Sequence, residues 1–343
     1  MNPYDYINSL RKFGDKGGFK PGLERVRAML AQLGNPEKKF RSIHVSGTNG
    51  KGSTIAFLQS IYREAGYKAG IYTSPHLLHF NQRMLINGIP ITTIELKRLI
   101  EDIIPVVKRV EENDDFGSPT FFEIITVIAF LFFARNEVEL AILETGLGGR
   151  LDATNVVEKP LAALITSIGL EHTEFLGNTT AQIAYEKAGI IKEGRPVFTA
   201  VRDFDALEVI EKISREKNAC FISIDKKYSF ELINASINNQ KFKFADDNTE
   251  RIYKINLLGK HQIRNAVLAL VVVWSLLDDY PVSQDDMYNG LEKTSWPGRL
   301  EKVHNNPAVL IDGAHNHEGM ERLVDYLSTV INPGQKIVFL LSH

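Results

Sequence analysis

The sequence predicts an α/β fold with a mostly parallel sheet flanked by helices. Three observations carry that prediction. Short apolar runs alternate with longer amphipathic ones along most of the chain, the pattern of strands joined by crossover helices. A glycine-rich turn, Val45-Ser46-Gly47-Thr48-Asn49-Gly50-Lys51-Gly52-Ser53-Thr54, stands between an apolar run and a helical one. From residue 227 to 258 the period changes to alternation, as in Lys241-Phe242-Lys243-Phe244 and Ile252-Tyr253-Lys254-Ile255, which adds a small antiparallel portion.

Two amphipathic helices are expected first, over residues 3–13 and 21–33, punctuated by Gly17-Gly18 and Pro21. Strands follow at 42–46, 69–73, 140–144, 162–167, 197–199 and 220–224. The intervening helices fall at 54–65, 94–110, 120–135, 180–191 and 206–216. After the alternating segment a helix is expected at 261–276. Trp296-Pro297-Gly298-Arg299 then reads as a linker, because Pro and Gly break both regular structures. Beyond it come a strand at 308–311, a helix at 318–330 and a strand at 336–341, one β-α-β unit. Such a unit has too few strands to bury a core of its own, so it leans on the first domain or belongs to a chain cut short. The expected division is therefore residues 1–295 and 296–343.

The 343 residues suffice for two domains with ample core. Net charge is −2 and the isoelectric point about 6.5, so no basic excess calls for nucleic acid. A single cysteine, Cys220, excludes an internal disulfide and fits a reducing compartment. Residues 1–10 lack the pattern of a signal peptide. The apolar runs 121–134 and 267–277 fall short of the roughly 20 residues of a membrane span, and the first carries Glu123, so both read as buried core helices. These features predict a soluble, cytoplasmic protein, taken as a monomer.

The glycine-rich turn is the most informative motif. A strand before it and a helix after it let backbone N–H groups and the helix N-terminus converge on phosphate, and Lys51 adds a mobile positive charge. The usual P-loop has Ser or Thr directly after the lysine, with its hydroxyl on Mg²⁺. Here Gly52 holds that place and Ser53 comes one later, so the metal is expected to draw ligands from elsewhere. Candidates lie at other strand ends, where sheets of this kind bind ligands. Glu144 enters the loop Thr145-Gly146-Leu147-Gly148-Gly149-Arg150-Leu151-Asp152, whose Arg150 and Asp152 could read a polar substrate edge. His172 closes Ser167-Ile168-Gly169-Leu170-Glu171-His172 and could ligate as a neutral imidazole, although histidine is an unusual choice for so hard an ion as Mg²⁺. Ser74, in Tyr72-Thr73-Ser74-Pro75-His76-Leu77, is a candidate for the missing hydroxyl and equally a Ser-Pro turn. Lys187 sits on a helix among small residues. Lysines there are ordinarily solvated or paired, but partial burial would make one reactive. Asp312-Gly313-Ala314-His315-Asn316 leaves a strand with an acid, a base and an amide together, and with Arg299 it could face the nucleotide.

In this order, SGTNGKGS (46–53), YTSPHL (72–77), ETGLGGRLDATN (144–155), SIGLEHTEFLG (167–177), EKAGIIK (186–192), GKHQIRNA (259–266), PGR (297–299) and DGAHN (312–316) resemble the folylpolyglutamate synthase/dihydrofolate synthase branch of the Mur ligase superfamily. The resemblance covers almost the whole chain. Gly52 favours the folyl branch over the cell-wall ligases, as does the N-terminal stretch 19–25. The resemblance implies an ATP site formed by Thr48, Asn49, Gly50, Lys51, Gly52 and Ser53, with Asn265, Arg299 and Asp312 as further nucleotide contacts. It implies Mg²⁺ on Ser74, Glu144 and His172, and a second divalent or monovalent cation near Lys187, a lysine carbamylated in the family. His315 matches a residue of the interdomain active site. Phe121, Glu123 and Asp152 align with pterin-binding positions. Lys51, His172, Lys187 and His315 are thus the expected catalytic group. The family's C-terminal domain is a fuller Rossmann-like sheet, so a partial one is expected here, with part of the glutamate-binding wall missing.

The implied reaction joins L-glutamate to the carboxylate of a reduced folate or of dihydropteroate through an acyl phosphate made from ATP. Two other readings remain open: a Mur-type ligase with a nucleotide-sugar acceptor, and a nucleotide-binding homologue with little or no activity.

Overall fold

The computed structural model describes residues 6–7, 22–113, 117–246, 249–314, 317–331, 334 and 336–340. Its centre is an eight-stranded sheet in the order β4-β3-β2-β5-β1-β6-β7-β8. The strands are β1 (Arg41–Ser46), β2 (Ala69–Tyr72), β3 (Met84–Ile86), β4 (Ile89–Pro90), β5 (Leu140–Glu144), β6 (Ala162–Ile165), β7 (Val197–Thr199) and β8 (Phe221–Ser223). From β2 through β8 along the sheet every pairing is parallel, and β3 and β4 add an antiparallel edge. The chain forms β1, leaves for β2, and returns to place β5 and β6 on either side of β1. The register sets Val45 beside both Glu144 and Leu164. Four strand ends, those of β2, β5, β1 and β6, therefore lie side by side at one edge.

Helices cover both faces. Helices α1 (Glu24–Gln32), α3 (Thr93–Glu111) and α4 (Phe121–Arg135) pack on one side with Val26, Leu99, Ile128, Phe133, Ala141 and Leu143 buried. The opposite face takes α2 (Lys51–Glu64), α9 (Lys260–Ser275) and α10 (Gln284–Lys293), with Ile43, Ile55, Leu58, Ile142, Leu268 and Leu291 in one cluster. Alternate residues of β5 thus serve opposite cores, which is why the strand reads as a continuous apolar run. Between them in the chain come α5 (Thr173–Leu176), α6 (Thr180–Ala188), α7 (Phe204–Glu216) and α8 (Ile224–Lys227). The apolar helix α4 starts at a capping box, Thr120 with Glu123, and lies inside the core. No helix among the described residues is long and apolar enough to cross a membrane.

The antiparallel portion is a three-stranded sheet of β9 (Ser229–Ala235), β10 (Gln240–Ala245) and β11 (Glu250–Ile255), whose Phe242, Phe244 and Tyr253 join the core under α9. The end of the chain departs from expectation. The structure has a hairpin of β12 (Glu301–Asn305) and β13 (Ala308–Ile311), antiparallel, followed by α11 (His317–Val330). Residues 336–340 are not a strand, so the expected β-α-β unit is absent among the described residues. A strand exists only by pairing, and β13 pairs with β12 rather than with this segment, whose Val338 and Leu340 stand in solvent. The expected helix over 3–13 lies outside the described residues apart from Tyr6 and Ile7.

Candidate active site

The glycine-rich turn joins β1 to α2 and is tied to the loop after β6. Thr48 N–H donates to the Ser167 carbonyl (2.8 Å) and Asn49 N–H to Ser167 Oγ (2.9 Å). Thr166 Oγ1 donates to the Asn49 carbonyl (2.7 Å), and Thr48 Oγ1 bonds the backbone of Gly169 in both directions. Gly50 caps α2 with φ +88°, and a Cβ there would stand 2.6 Å from Asn265 Oδ1, so glycine is needed on both counts. Lys51 folds back over its own loop, its Nζ donating to the carbonyls of Gly47 (2.8 Å) and Thr48 (3.0 Å).

Gly52 has a physical explanation. A Cβ at this position would lie 2.8 Å from Trp296 Nε1 and 3.1 Å from Cε2, so the linker indole occupies the space where the usual Ser or Thr would be.

Glu144 ends β5 beside this turn, buried, and its Oε2 accepts the Ser74 backbone N–H at 3.0 Å. Burial pushes its carboxyl up, while Lys51, the Ser74 N–H, Arg299 and Arg83 oppose the shift. A buried carboxylate beside a serine and a glycine-rich turn is a donor set that suits a hard divalent cation. His172 lies farther along the loop after β6, exposed and with a left-handed backbone (φ +47°) that caps α5.

Lys187, on α6, is 2% exposed. Its Nζ donates to Glu171 Oε1 (2.7 Å) and to the Gly47 carbonyl (3.0 Å), the oxygen that Lys51 also uses. Burial and the charge of Lys51 push its amine down to about 8. Although burial alone would raise the Glu171 carboxyl, Lys187 and Lys51 hold it below its ordinary value.

Asp152 is a buried organiser of the loop after β5. One oxygen accepts from Gly146 N (2.8 Å) and Leu147 N (2.9 Å), the other from Thr154 N (3.0 Å) and Thr154 Oγ1 (2.5 Å). Glu123 is likewise engaged: it accepts from Arg25 Nη2 at 2.8 Å and Nε at 3.0 Å, with both side chains buried. Phe121 instead borders an open cavity of about 1070 Å³ with His76, Phe80 and Arg83. The Arg83 guanidinium lies over the Phe121 and Phe80 rings and donates through Nε to His76 Nδ1 (2.9 Å).

On the other side of the turn, Asn49, Gly50, Ser53, Asn265, Arg299 and Asp312 border one small cavity. Asp312 ties the linker to the end of β13, accepting from Leu300 N and Ala314 N at 2.8 Å each.

The profile of the Mur ligase middle domain matches residues 45–273. The dihydrofolate synthase/folylpolyglutamate synthase of Bacillus subtilis is 46% identical over 316 residues, 90% of this chain and 73% of the relative. The chain belongs to this family of Mur ligases. Among solved structures, the Thermotoga maritima folylpolyglutamate synthase superposes with a TM-score of 0.86 at 36% identity, covering 95% of this chain and 73% of that one. An FPGS–AMPPCP–folate complex superposes with a TM-score of 0.87 at 32% identity, covering 96% and 80%.

Within this Mur ligase, part of the expected nucleotide set comes together: Asn49, Gly50 and Ser53 of the turn border one cavity with Asn265, Arg299 and Asp312. Ser74 and Glu144 touch, and Lys187 reaches the turn. Glu123 and Asp152 are consumed by structural hydrogen bonds, which leaves Phe121 as the member of that trio at a cavity. His315 lies outside the described residues. Sequence reasoning passed over Glu171, Arg83 and Trp296. Glu171 stands next to His172 in a loop already singled out, and its buried lysine partner is 16 residues away on α6.

Proposed function

We propose that this chain joins L-glutamate to the carboxylate of a pterin acceptor, a reduced folate or dihydropteroate, with ATP as the activating substrate. The observation that carries the reading is the placement of Arg83. It stands between the phosphate-binding edge, where it acts on Glu144, and the aromatic cavity bordered by Phe80 and Phe121. A flat, anionic acceptor seated on those rings would bring its carboxylate toward the triphosphate.

A carboxylate is a poor electrophile until it is phosphorylated. The acceptor carboxylate attacks the γ-phosphorus, ADP leaves, and an acyl phosphate results. The amine of glutamate then attacks the acyl carbon and phosphate departs. Lys51, Arg83 and Arg299 offset the repulsion between the two anions, chiefly by positioning and fixed charge. Thr48 to Ser53 cradle the phosphates, and Asn265 and Asp312 hold the nucleoside end. Ser74 and Glu144, with His172 brought up from its exposed position, would hold Mg²⁺, whose contribution when bound is to neutralise triphosphate charge. Unmodified Lys187 is ion-paired with Glu171; carbamylation would require that pair to open and would convert a cation into a ligand for a second cation. The linker divides the nucleotide-binding part, 1–295, from a smaller part, 296–343, that supplies Asp312 and His315. The enzyme acts in the cytoplasm as a monomer on small molecules.

The test is phosphate release from MgATP with L-glutamate and either 7,8-dihydropteroate or a reduced folate. Release that needs both glutamate and a pterin is expected, and the preferred pterin names the activity. Release with neither pterin would sink the reading, and nucleotide binding without turnover would favour the weakly active homologue.

A further inference from the structure

One contact at the nucleotide edge runs against its electrostatics. The turn exists to attract phosphate, yet Glu318, in the first turn of α11, sets a carboxylate on it: Glu318 Oε2 accepts from Asn49 Nδ2 at 2.5 Å. The fit is close, since a Cβ on Gly169 would come within 3.4 Å of the same oxygen. Arg322, one turn along α11, pairs with Glu318 and borders both cavities that flank Asn49. The neutral His261 beside them is pushed down by burial and by Arg322 and Arg299, so cations already crowd this corner. The helix carrying the acid is held by a small apolar cluster of Leu258, Leu300 and Tyr326, by Tyr326 Oη on the Ser236 carbonyl (3.1 Å), and by the exposed pair Lys260–Asp325.

We propose that Glu318 is a counter-anion clasp on the nucleotide site. It holds Asn49 and Arg322 while phosphate is absent, and it must leave Asn49 for the triphosphate to enter. Departure frees Arg322 to meet the incoming anion, so nucleotide binding and the position of α11 are coupled. The inference rests on the nucleotide site proposed above and assigns its regulation.

The experiment is calorimetric titration of the full chain with ADP and with MgAMPPCP, at low and high ionic strength. Four proteins are compared: wild type, Glu318→Gln, Glu318→Ala and the control Glu321→Gln, an exposed acid of the same helix. Gln keeps an acceptor for Asn49 and removes only the charge. The clasp predicts that both Glu318 variants bind MgAMPPCP about threefold to tenfold tighter than wild type, with a smaller gain for ADP. The gain shrinks as salt rises, and Glu321→Gln matches wild type. Unchanged affinity in both Glu318 variants overturns the clasp. Weaker binding in both also overturns it and makes Glu318 a nucleotide ligand. If none of the four proteins binds either nucleotide, the site reading falls and takes the clasp with it.

Discussion

Leu140-Ala141-Ile142-Leu143-Glu144 and Ala308-Val309-Leu310-Ile311-Asp312 share a pattern, four apolar residues and then an acid. In the first, β5 lies between β1 and β2, both parallel, with a helical layer on each face, and all five residues are buried. In the second, β13 has a hairpin partner, and Val309 and Ile311 are 41% and 47% exposed. The acids diverge accordingly. Burial makes the charge of Glu144 costly, and the Ser74 N–H with the charges of Lys51, Arg299 and Arg83 offsets that cost. Asp312 is half-buried and satisfied by two backbone N–H groups, a turn-forming aspartate that also borders the small cavity beside the glycine-rich turn. Neighbours, not the local motif, decide what a strand-terminal acid does.

The largest expected effect tests the buried member. Glu144→Ala should lower kcat about a thousandfold or more, on the scale of losing a group that organises charge in phosphoryl transfer. Thermal stability should hold or rise, because the substitution relieves a desolvated carboxylate. A folded variant with near-normal phosphate release would place the chemistry elsewhere.

A second buried acid in the same half of the molecule sharpens the distinction. Glu123 is paired with Arg25 and completes the capping box of α4, so Glu123→Ala should cost about 3–5 kcal/mol of stability by stranding a buried guanidinium. Chemical denaturation measures this. A stable variant with only a raised KM for the pterin would instead return Glu123 to the substrate site.

Gly52 comes next. Gly52→Ser restores the usual P-loop hydroxyl but drives its Cβ into the Trp296 indole. The expected loss in kcat/KM is about tenfold to a hundredfold, the size of a small misplacement at the reacting phosphate. Adding Trp296→Leu should recover part of it. No recovery would show that the indole is not what forbids a side chain here.

The parallel sheet and its strand-end motifs were readable because buried parallel strands are uninterrupted apolar runs and because phosphate chemistry demands a glycine-rich turn at a fixed place. The edge hairpin 84–90 went unread although Asn87-Gly88 is the two-residue turn such hairpins favour, with φ of +50° and +82°. Helix α10 was missed although Ser283 and Asp286 form its capping box. The strand expected at 336–341 failed for a different reason: apolarity signals a wish to be buried, and pairing needs a partner that a linear pattern cannot supply. The site divides the same way. Residue types at strand ends were legible, whereas Lys187 with Glu171, Arg83 with His76 and Trp296 with Gly52 exist only in three dimensions.

The smallest effect belongs to Asp312, and it can break the comparison. Asp312→Ala removes the acceptor for Leu300 N–H and Ala314 N–H. At about 1 kcal/mol for each such bond, the loss should be modest and confined to the linker and β13, because the parallel sheet does not depend on it. The nucleotide KM should rise about threefold to tenfold, since Arg299 loses its fixed frame, while kcat stays within the same range. Steady-state kinetics at varied ATP separates the two. A thousandfold fall in kcat, matching that expected for Glu144→Ala, would mean that the exposed hairpin carries as much of the chemistry as the buried sheet edge, and that a strand-terminal acid can act without the enclosure that surrounds β5.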